Sequence, residues 1–341
     1  MSVRVGINGF GRIGRIFYRA ALGAIETGDI EIVAANEIGP PQTTAHLLRY
    51  DSTHGRLDEP VEVTERGLLV GGKELLLFSE PDPKAIPWGE LEVDVVVDST
   101  GRFKSRDQAM AHVEAGARRV IISAPSSDAD ATFVVGVNDD TFDPEAHVIM
   151  SNASCTTNCF VPMVKVLDDA FGVRNGLMTT VHAYTNDQNL LDLAHKDMRR
   201  ARAAAVNIIP SSTGAARATG LVLQAMQGRL DGISLRVPVQ DGSITDFTAI
   251  LAAEVDKAEV NAAFEAAASS GRLAGIVEYS EEPLVSSDII GSPASCVFDS
   301  GLTMAMPIGD GSTLVKVMGW YDNEWGYSCR LVDLCAIVGG R

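Results

Sequence analysis

The sequence predicts an α/β chain in two parts: an N-terminal doubly wound parallel sheet, and a second α+β part with a mixed or antiparallel sheet. Three observations predict it. Short apolar, β-branched runs alternate with amphipathic helical stretches through the first half of the chain. A glycine-rich turn joins the first such run to the first helix. After residue 152 the strands lengthen and alternate in polarity, as expected of a sheet covered by helices on one face.

In order, VRVGI (3–7) reads as a strand, RIGRIFYRAALGAI (12–25) as one amphipathic helix and EIVAAN (31–36) as a second strand. VDVVVDST (93–100) and RVIISA (119–124) are built on apolar, β-branched runs, as expected of strands covered on both faces, with SRDQAMAHVEAGA (105–117) the helix between them. A long helix over 156–170 leads into the strand MTTVHAYT (178–185), where alternation puts Thr180, His182 and Tyr184 on one face. ISLRVPV (233–239), SITDFTAIL (243–251) and STLVKVMGWYD (312–322) are further strands, and 324–338 is a closing helix. The expected division falls at residues 1–153, 154–321 and 322–341.

The chain has 341 residues, 46% of them hydrophobic and 21% charged, with a net charge of −17. That balance argues against nucleic acid or an anionic membrane as partner, since each needs a basic footprint. Apolar runs are of strand length, the N-terminus enters structure without a leader pattern, and five cysteines make an odd, mostly unpaired count. The expectation is a cytoplasmic protein without a disulfide framework.

GINGFGRIGR (6–15) carries Gly9, Gly11 and Gly14 as G-x-G-x-x-G between a strand and a helix. Glu37 ends the second strand 23 residues past Gly14; a Rossmann-type site places an acidic residue about 20 residues on. Glycines let the backbone approach a pyrophosphate, and the helix N-terminus offers unpaired N–H groups. A glutamate would accept from the adenosine ribose and repel a 2′-phosphate, which favours NAD over NADP.

SNASCTTNC (151–159) holds two cysteines one helical turn apart. Cys155 stands at the start of the predicted helix, where free N–H groups and the helix dipole lower a thiol's pKa. Cys159, flanked by Phe160 and Val161, reads as a small buried hydrophobe. With no second close pair and no His-x-x-x-His, no metal is expected. Among six histidines, His182 lies on the strand that follows the Cys155 helix, so an imidazole would pair with the thiolate and later shuttle a proton. A dinucleotide site and an activated thiol suggest thiol addition to an aldehyde, hydride transfer to NAD, and a thioester left for a second nucleophile.

From end to end the chain resembles the phosphorylating glyceraldehyde-3-phosphate dehydrogenases. The motifs that carry the resemblance are GINGFGRIGR (6–15), YDSTHG (50–55), STGRF (99–103), ISAPS (122–126), SNASCTTNC (151–159), HAYTNDQ (182–188), HKDMRRARAAA (195–205), IIPSSTGAA (208–216), LRVP (235–238) and WYDNEWGYS (320–328). The resemblance implies Cys155 as nucleophile and His182 as its activator. It implies Ser154, Thr156, Thr213 and Gly214 around the attacking inorganic phosphate. Thr185, Asp187, Arg200 and Arg236 fall where phosphate groups and neighbouring segments are held, and Arg12, Ile13, Glu37, Ser123 and Asn323 match cofactor positions. Asn323 would grip the nicotinamide carboxamide and Tyr327 would pack on the ring. The arginine-rich 195–205 segment would line a neighbour's cofactor site in a homotetramer.

The departures are specific. Glutamate at position 37, where the family usually has aspartate, is more typical of the erythrose-4-phosphate dehydrogenases, the nearest rival. Pro81 replaces a basic residue often found near the adenine. Leu193–Ala194 replaces a Leu-Pro pair associated with NAD preference, which leaves room for some NADP use. VQDGSIT (239–245) departs after the LRVP arginine, while HAYTNDQ and SSTG match the glyceraldehyde-3-phosphate side. A rival of another class is a non-catalytic NAD-binding redox sensor.

Overall fold

The computed structural model describes residues 2–340. They divide into two compact units, one taking the chain up to Phe133, then Asp139–Ala153, then from Ser328 onward, the other Val134–Asn138 and Ser154–Tyr327.

The first unit runs β1 (Val3–Asn8), α1 (Arg12–Ala20), α2 (Leu22–Thr27), β2 (Ile30–Asn36), α3 (Pro41–Arg49), a hairpin of β3 (Tyr50–Asp51) and β4 (Gly55–Arg56), β5 (Val61–Val63), β6 (Gly67–Val70), β7 (Lys73–Phe78), β8 (Val95–Asp98), α4 (Arg106–Glu114), β9 (Arg119–Ile122), β10 (Ala131–Thr132) and β11 (Ile149–Ser151). Its main sheet has the order β10-β11-β9-β8-β1-β2-β7-β6-β5. Pairing is parallel from β10 to β7, and β6 and β5 extend it as an antiparallel ribbon. β8 and β9 are buried at every residue, in keeping with their runs Val95–Val97 and Val120–Ile122, and they bury Asp98 and Arg119 at their ends as well. The chain leaves β1 toward β2 on one side and returns to β8 on the other, so the carboxyl ends of β1 and β8 form the crevice where such sheets bind ligands.

Two helical expectations change. The helix expected over 12–25 is two, divided at Ala21, so that α1 buries Ile16 and Phe17 while α2 turns Ile25 inward. α4 is shorter than 105–117: Ser105 caps it in a capping box with Gln108, and Gly116 takes φ +101° beyond its end. The β5–β7 ribbon had no counterpart in the reading of the sequence. Its tight turn is Gly71–Gly72, both at positive φ, the backbone a two-residue hairpin needs.

The second unit runs α5 (Cys155–Phe171), β12 (Val173–Ala183), β13 (Ile209–Ser212), α6 (Ala215–Val222), β14 (Leu230–Val237), β15 (Ser243–Leu251), α7 (Lys257–Ser269), β16 (Val277–Ser280), β17 (Cys296–Asp299), β18 (Met304–Pro307) and β19 (Thr313–Tyr321). The sheet is mixed, in the order β13-β14-β12-β15-β19-β17-β16 with β18 beside β19. β15 and β19 alternate buried and half-buried residues, so one face is covered. α5 sets Phe160 edge-on to Phe247, centroids 4.8 Å apart, and α7 stacks Phe264 on Phe298 at 3.8 Å. A Cβ at Gly319 would stand 2.5 Å from Cys296 Sγ, 2.8 Å from Met163 Sδ and 3.3 Å from Cys159 Sγ, which is why that strand position is glycine. Cys159 is thus a core residue. β12 ends at Ala183, so Tyr184 lies beyond the strand that carries Thr180 and His182.

α8 (Trp325–Gly339) starts in the second unit and ends in the first, where Arg119 donates to the Val338 carbonyl at 2.9 Å. Among the described residues no helix is long and apolar enough to cross a membrane.

Candidate active site

Cys155 is the first residue of α5. Ser154 caps the helix, its Oγ accepting from the Thr157 N–H at 3.0 Å. Just before the cap, Ala153 is held at φ +55°, a left-handed backbone that alanine rarely adopts and that commonly marks a functional site. The thiol is half-buried at the helix N-terminus, and His182 Nε2 lies 3.4 Å from its Sγ.

Strand register supplies the next neighbour. β14 runs parallel to β12 with Arg236 directly beside His182. One Arg236 Nη lies 2.6 Å from His182 Nδ1 and 3.0 Å from the Ala183 carbonyl, which itself stands 2.7 Å from Nδ1. A guanidinium can only donate. With Nδ1 accepting from Arg236, the same NH₂ group bridges Nδ1 and the Ala183 carbonyl, and its charge holds these two close acceptors together. The ring hydrogen then sits on Nε2 and points at the sulfur.

The electrostatics correct one expectation. An acidic Cys155 paired with a charged imidazole was expected from the helix N-terminus. Instead burial pushes the thiol up to about 11, against the pull of the Arg236 charge and of the Thr156 N–H and hydroxyl. Burial, reinforced by the Arg236 charge, pushes the His182 imidazole down to about 3. Burial thus opposes a resting ion pair, working against the Arg236 charge and the Thr156 groups at the thiol.

The remaining predicted residues of this unit gather in part. The Thr156 hydroxyl is 2.8 Å from that of Tyr321. Thr213 and Gly214 lead into α6, Gly214 as its N-cap residue without a side-chain cap and Thr213 Oγ1 accepting from the Ala215 N–H at 3.2 Å, so this end can receive an anion. Arg200 is ion-paired with Asp187 and donates to the Ser212 carbonyl at 3.3 Å, which ties the 195–205 segment to the strand before Thr213. Thr185 belongs to the turn that Gln188 closes. Asn323 accepts from Ser243 Oγ at 2.6 Å, in a turn where Asp322 Oδ1 accepts from the N–H groups of Glu324 and Trp325. Tyr327 is buried on α8.

Three neighbours were missed in the sequence. Tyr321 hydrogen-bonds both Thr156 and Thr180 at 2.8 Å and packs edge-on to His182. Ser243 accepts the Ala183 N–H at 3.1 Å and so links the His182 strand to Asn323. Asp241, fully buried within VQDGSIT, has its carboxyl pushed up to about 9 by burial and by the charges of Asp322 and Glu324. The WYDNEWGYS match signals Tyr321; nothing in the sequence pairs Ser243 or Asp241 with it.

In the first unit, Gly9 takes φ +88° and Gly11 stands at the N-cap of α1 without a side chain, so no capping group fills the space in front of the helix start at Arg12 and Ile13. A Cβ at Gly11 would meet nothing within 4 Å, which leaves the space a pyrophosphate needs, whereas Gly14 packs so close to the Gly9 carbonyl that a Cβ there would stand at 2.3 Å. Arg12 turns its guanidinium to Asp51 at 2.8 Å. Glu37 follows β2 directly, one oxygen accepting from Gly39 N–H at 3.3 Å, and Ser123 follows β9, its N–H bonded to the Asp98 carbonyl. These donors and this carboxylate fit a dinucleotide.

A unit that can cradle a pyrophosphate and a unit that can carry an acyl group on sulfur together define the class, the NAD-dependent oxidoreductases. Comparison with known proteins narrows it. Residues 3–106 match the family model of the glyceraldehyde 3-phosphate dehydrogenase NAD binding domain, and residues 154–323 that of the C-terminal domain. The chain is 58% identical over 342 residues to glyceraldehyde-3-phosphate dehydrogenase 2 of Streptomyces avermitilis and 59% identical over 342 to the glyceraldehyde-3-phosphate dehydrogenase of Streptomyces coelicolor, with all of both chains covered. It is 55% identical over 341 residues to that of Geobacillus stearothermophilus, covering all of this chain and 99% of that protein. The chain belongs to the glyceraldehyde 3-phosphate dehydrogenase family.

Proposed function

We propose that the chain oxidises D-glyceraldehyde 3-phosphate with NAD and inorganic phosphate to 1,3-bisphosphoglycerate, the glycolytic reaction and its gluconeogenic reverse. The observation that carries this reading is the Cys155 thiol 3.4 Å from His182 Nε2 at the start of α5. The thiol gives up its proton to solvent and the sulfur bonds to the aldehyde carbon. His182 Nε2–H, first on sulfur, then donates to the new oxyanion, together with the N–H groups at the start of α5. NAD, when bound, supplies the hydride acceptor. Loss of hydride leaves a Cys155 thioester, and phosphate held by Ser154, Thr156, Thr213 and Gly214 attacks it, releasing acyl phosphate and restoring the sulfur. Thr185, Asp187, Arg200 and Arg236 orient phosphate groups, with guanidinium groups suited to their oxygens. Gly9, Gly11, Arg12, Ile13, Glu37 and Ser123 hold the dinucleotide, and Asn323 and Tyr327 fix the nicotinamide.

Residues 1–153 are the NAD-binding domain, 154–321 the catalytic domain and 322–341 the segment that returns to the first. The protein works as a homotetramer, a reading supported by an exposed apolar row in and around the arginine-rich segment: Leu190, Leu191, Leu193, Met198, Val206 and Ile208. All five cysteines are free thiols, which suits a reducing cytoplasm.

The test is a steady-state assay over glyceraldehyde 3-phosphate and erythrose 4-phosphate, with NAD and NADP, with and without phosphate. Phosphate-dependent NADH formation, fastest on glyceraldehyde 3-phosphate, is expected. Faster, phosphate-independent turnover of erythrose 4-phosphate would reassign the substrate. Cys155→Ser lowers turnover by about a thousandfold or more while NAD binding persists; a chain that turned over normally would have another nucleophile.

A further inference from the structure

The first unit contains a buried polar chain that the chemistry above leaves unused. His112, on α4, is fully buried. Its Nδ1 lies 3.1 Å from the indole Nε1 of Trp88, and its Nε2 lies 3.0 Å from Asp98 Oδ2. An indole N–H can only donate, so Nδ1 must accept and the ring hydrogen must sit on Nε2, donated to Asp98. Asn8 Nδ2 also lies 3.3 Å from Nε2, so two donors converge on the one carboxylate oxygen. Asp98 Oδ2 also accepts from Asn8 Nδ2 at 2.8 Å, and Oδ1 accepts from the Thr100 hydroxyl at 2.7 Å and the Thr100 N–H at 3.1 Å. Asn8 Oδ1 accepts from Asn36 Nδ2 at 2.9 Å, and Asn36 Oδ1 accepts from the Glu80 N–H at 2.8 Å. His112, Asn8 and Thr100 all donate to Asp98, while Asn36 Nδ2 divides its hydrogens between Asn8 Oδ1 and the Glu80 carbonyl at 2.9 Å.

The segments this chain ties together are those that face the dinucleotide. Asn8 precedes Gly9, and Asn36 precedes Glu37. The turn after Asp98 presses on the glycine loop: a Cβ at Gly9 would stand 2.8 Å from the Thr100 nitrogen, and Ser99 Oγ donates to the Gly9 carbonyl at 2.6 Å. Asp98 thus holds the ends of β1, β2 and β8 at one point, and His112 is the donor that holds Asp98 from behind.

We propose that His112 is a positioning residue for NAD. Its tautomer, fixed by Trp88, locks Asp98 and through it the Gly9 loop, Glu37 and the turn at 99–101 in the arrangement that receives the pyrophosphate and ribose. This role rests on the NAD-binding reading of the unit and adds a residue that never touches the cofactor. An amide can both accept from an indole and donate to a carboxylate; a leucine can do neither.

The experiment compares His112→Leu, His112→Gln and the unaltered chain by calorimetric NAD titration, by steady-state kinetics and by unfolding midpoint. His112→Leu is expected to raise the NAD dissociation constant and the KM for NAD by about tenfold, the cost of one hydrogen bond to a charged group. The kcat at saturating NAD and the aldehyde KM should stay within about twofold. His112→Gln recovers most of the NAD affinity. Side-chain ¹⁵N spectra of the unaltered protein should show His112 with its hydrogen on Nε2. A lowered unfolding midpoint with unchanged NAD affinity would make the residue merely structural and overturn the proposal, as would a hydrogen on Nδ1. If His112→Leu does not fold, Thr100→Val removes one donor from Asp98 at the half-buried end, and unchanged NAD affinity there overturns it equally. An unaltered chain that binds no NAD defeats the cofactor reading itself, a separate result.

Discussion

Each unit buries a histidine whose two ring nitrogens are both engaged, His112 at 0% exposure and His182 at 3%. In both, an obligate donor occupies Nδ1 and leaves the hydrogen on Nε2. What differs is the receiver. His112 donates to a carboxylate that three other donors already saturate. His182 faces a thiol at an open helix end, and its Nδ1 is held by a cation rather than an indole. Burial and tautomer alone therefore do not make a histidine catalytic. The partner of the donated hydrogen decides whether the ring is a strut or acts on a reacting atom.

The comparison breaks most visibly at His182. His182→Ala removes the donor to the oxyanion and should lower kcat by about a hundredfold to a thousandfold, with NAD affinity unchanged. His182→Gln, which returns an N–H near the same place, should recover part of that loss. Substitutions at His112 should move the other parameter, NAD affinity. If both histidines altered kcat alone, the distinction between strut and donor would be lost.

Legibility follows the same division. The parallel strands of the first unit were readable because strands covered on both faces carry continuous apolar runs, Val95–Val97 in β8 and Val120–Ile122 in β9. Cys155 at a helix start was readable from local spacing. The Arg236–His182 contact was not, because it depends on β14 pairing in parallel with β12 across 54 residues of chain. The burial that opposes an acidic thiol is hidden for a related reason: a helix start is local and visible in the sequence, whereas desolvation comes from strands that only the fold brings near. The tie between His112 and Asp98 was likewise invisible within an ordinary helical pattern.

Arg236 sharpens the comparison, since it is the cation that His112 lacks. Its charge pulls the Cys155 thiol down and pushes the His182 imidazole down. Arg236→Leu should therefore raise both, the imidazole from about 3 toward its ordinary 6.5 and the thiol beyond about 11. The pH profile of Cys155 alkylation should move up by about one unit, and ring ¹⁵N shifts should report the imidazole. A profile that moved down would mean that Arg236 does not act on the thiol through its charge.

The smallest effect compares two ion pairs. Arg12–Asp51 in the first unit leaves Asp51 only 5% exposed, while Arg200–Asp187 in the second leaves Asp187 47% exposed. Burial raises the Asp51 carboxyl, but the His54 N–H, Arg12 and the Thr53 N–H together bring it down to about 2. A depressed carboxyl stabilises the fold fully above its ordinary 3.8 and loses that contribution as pH falls through about 2, because the unfolded chain takes up the proton first. Asp51→Asn should cost about 1–2 kcal/mol at neutral pH, after allowance for solvent, and progressively less as pH falls through about 2, as read by urea unfolding of the first unit's signal. Asp187→Asn should cost under about 1 kcal/mol, since exposed pairs contribute little. Equal costs would mean that burial of the carboxylate does not separate the two pairs.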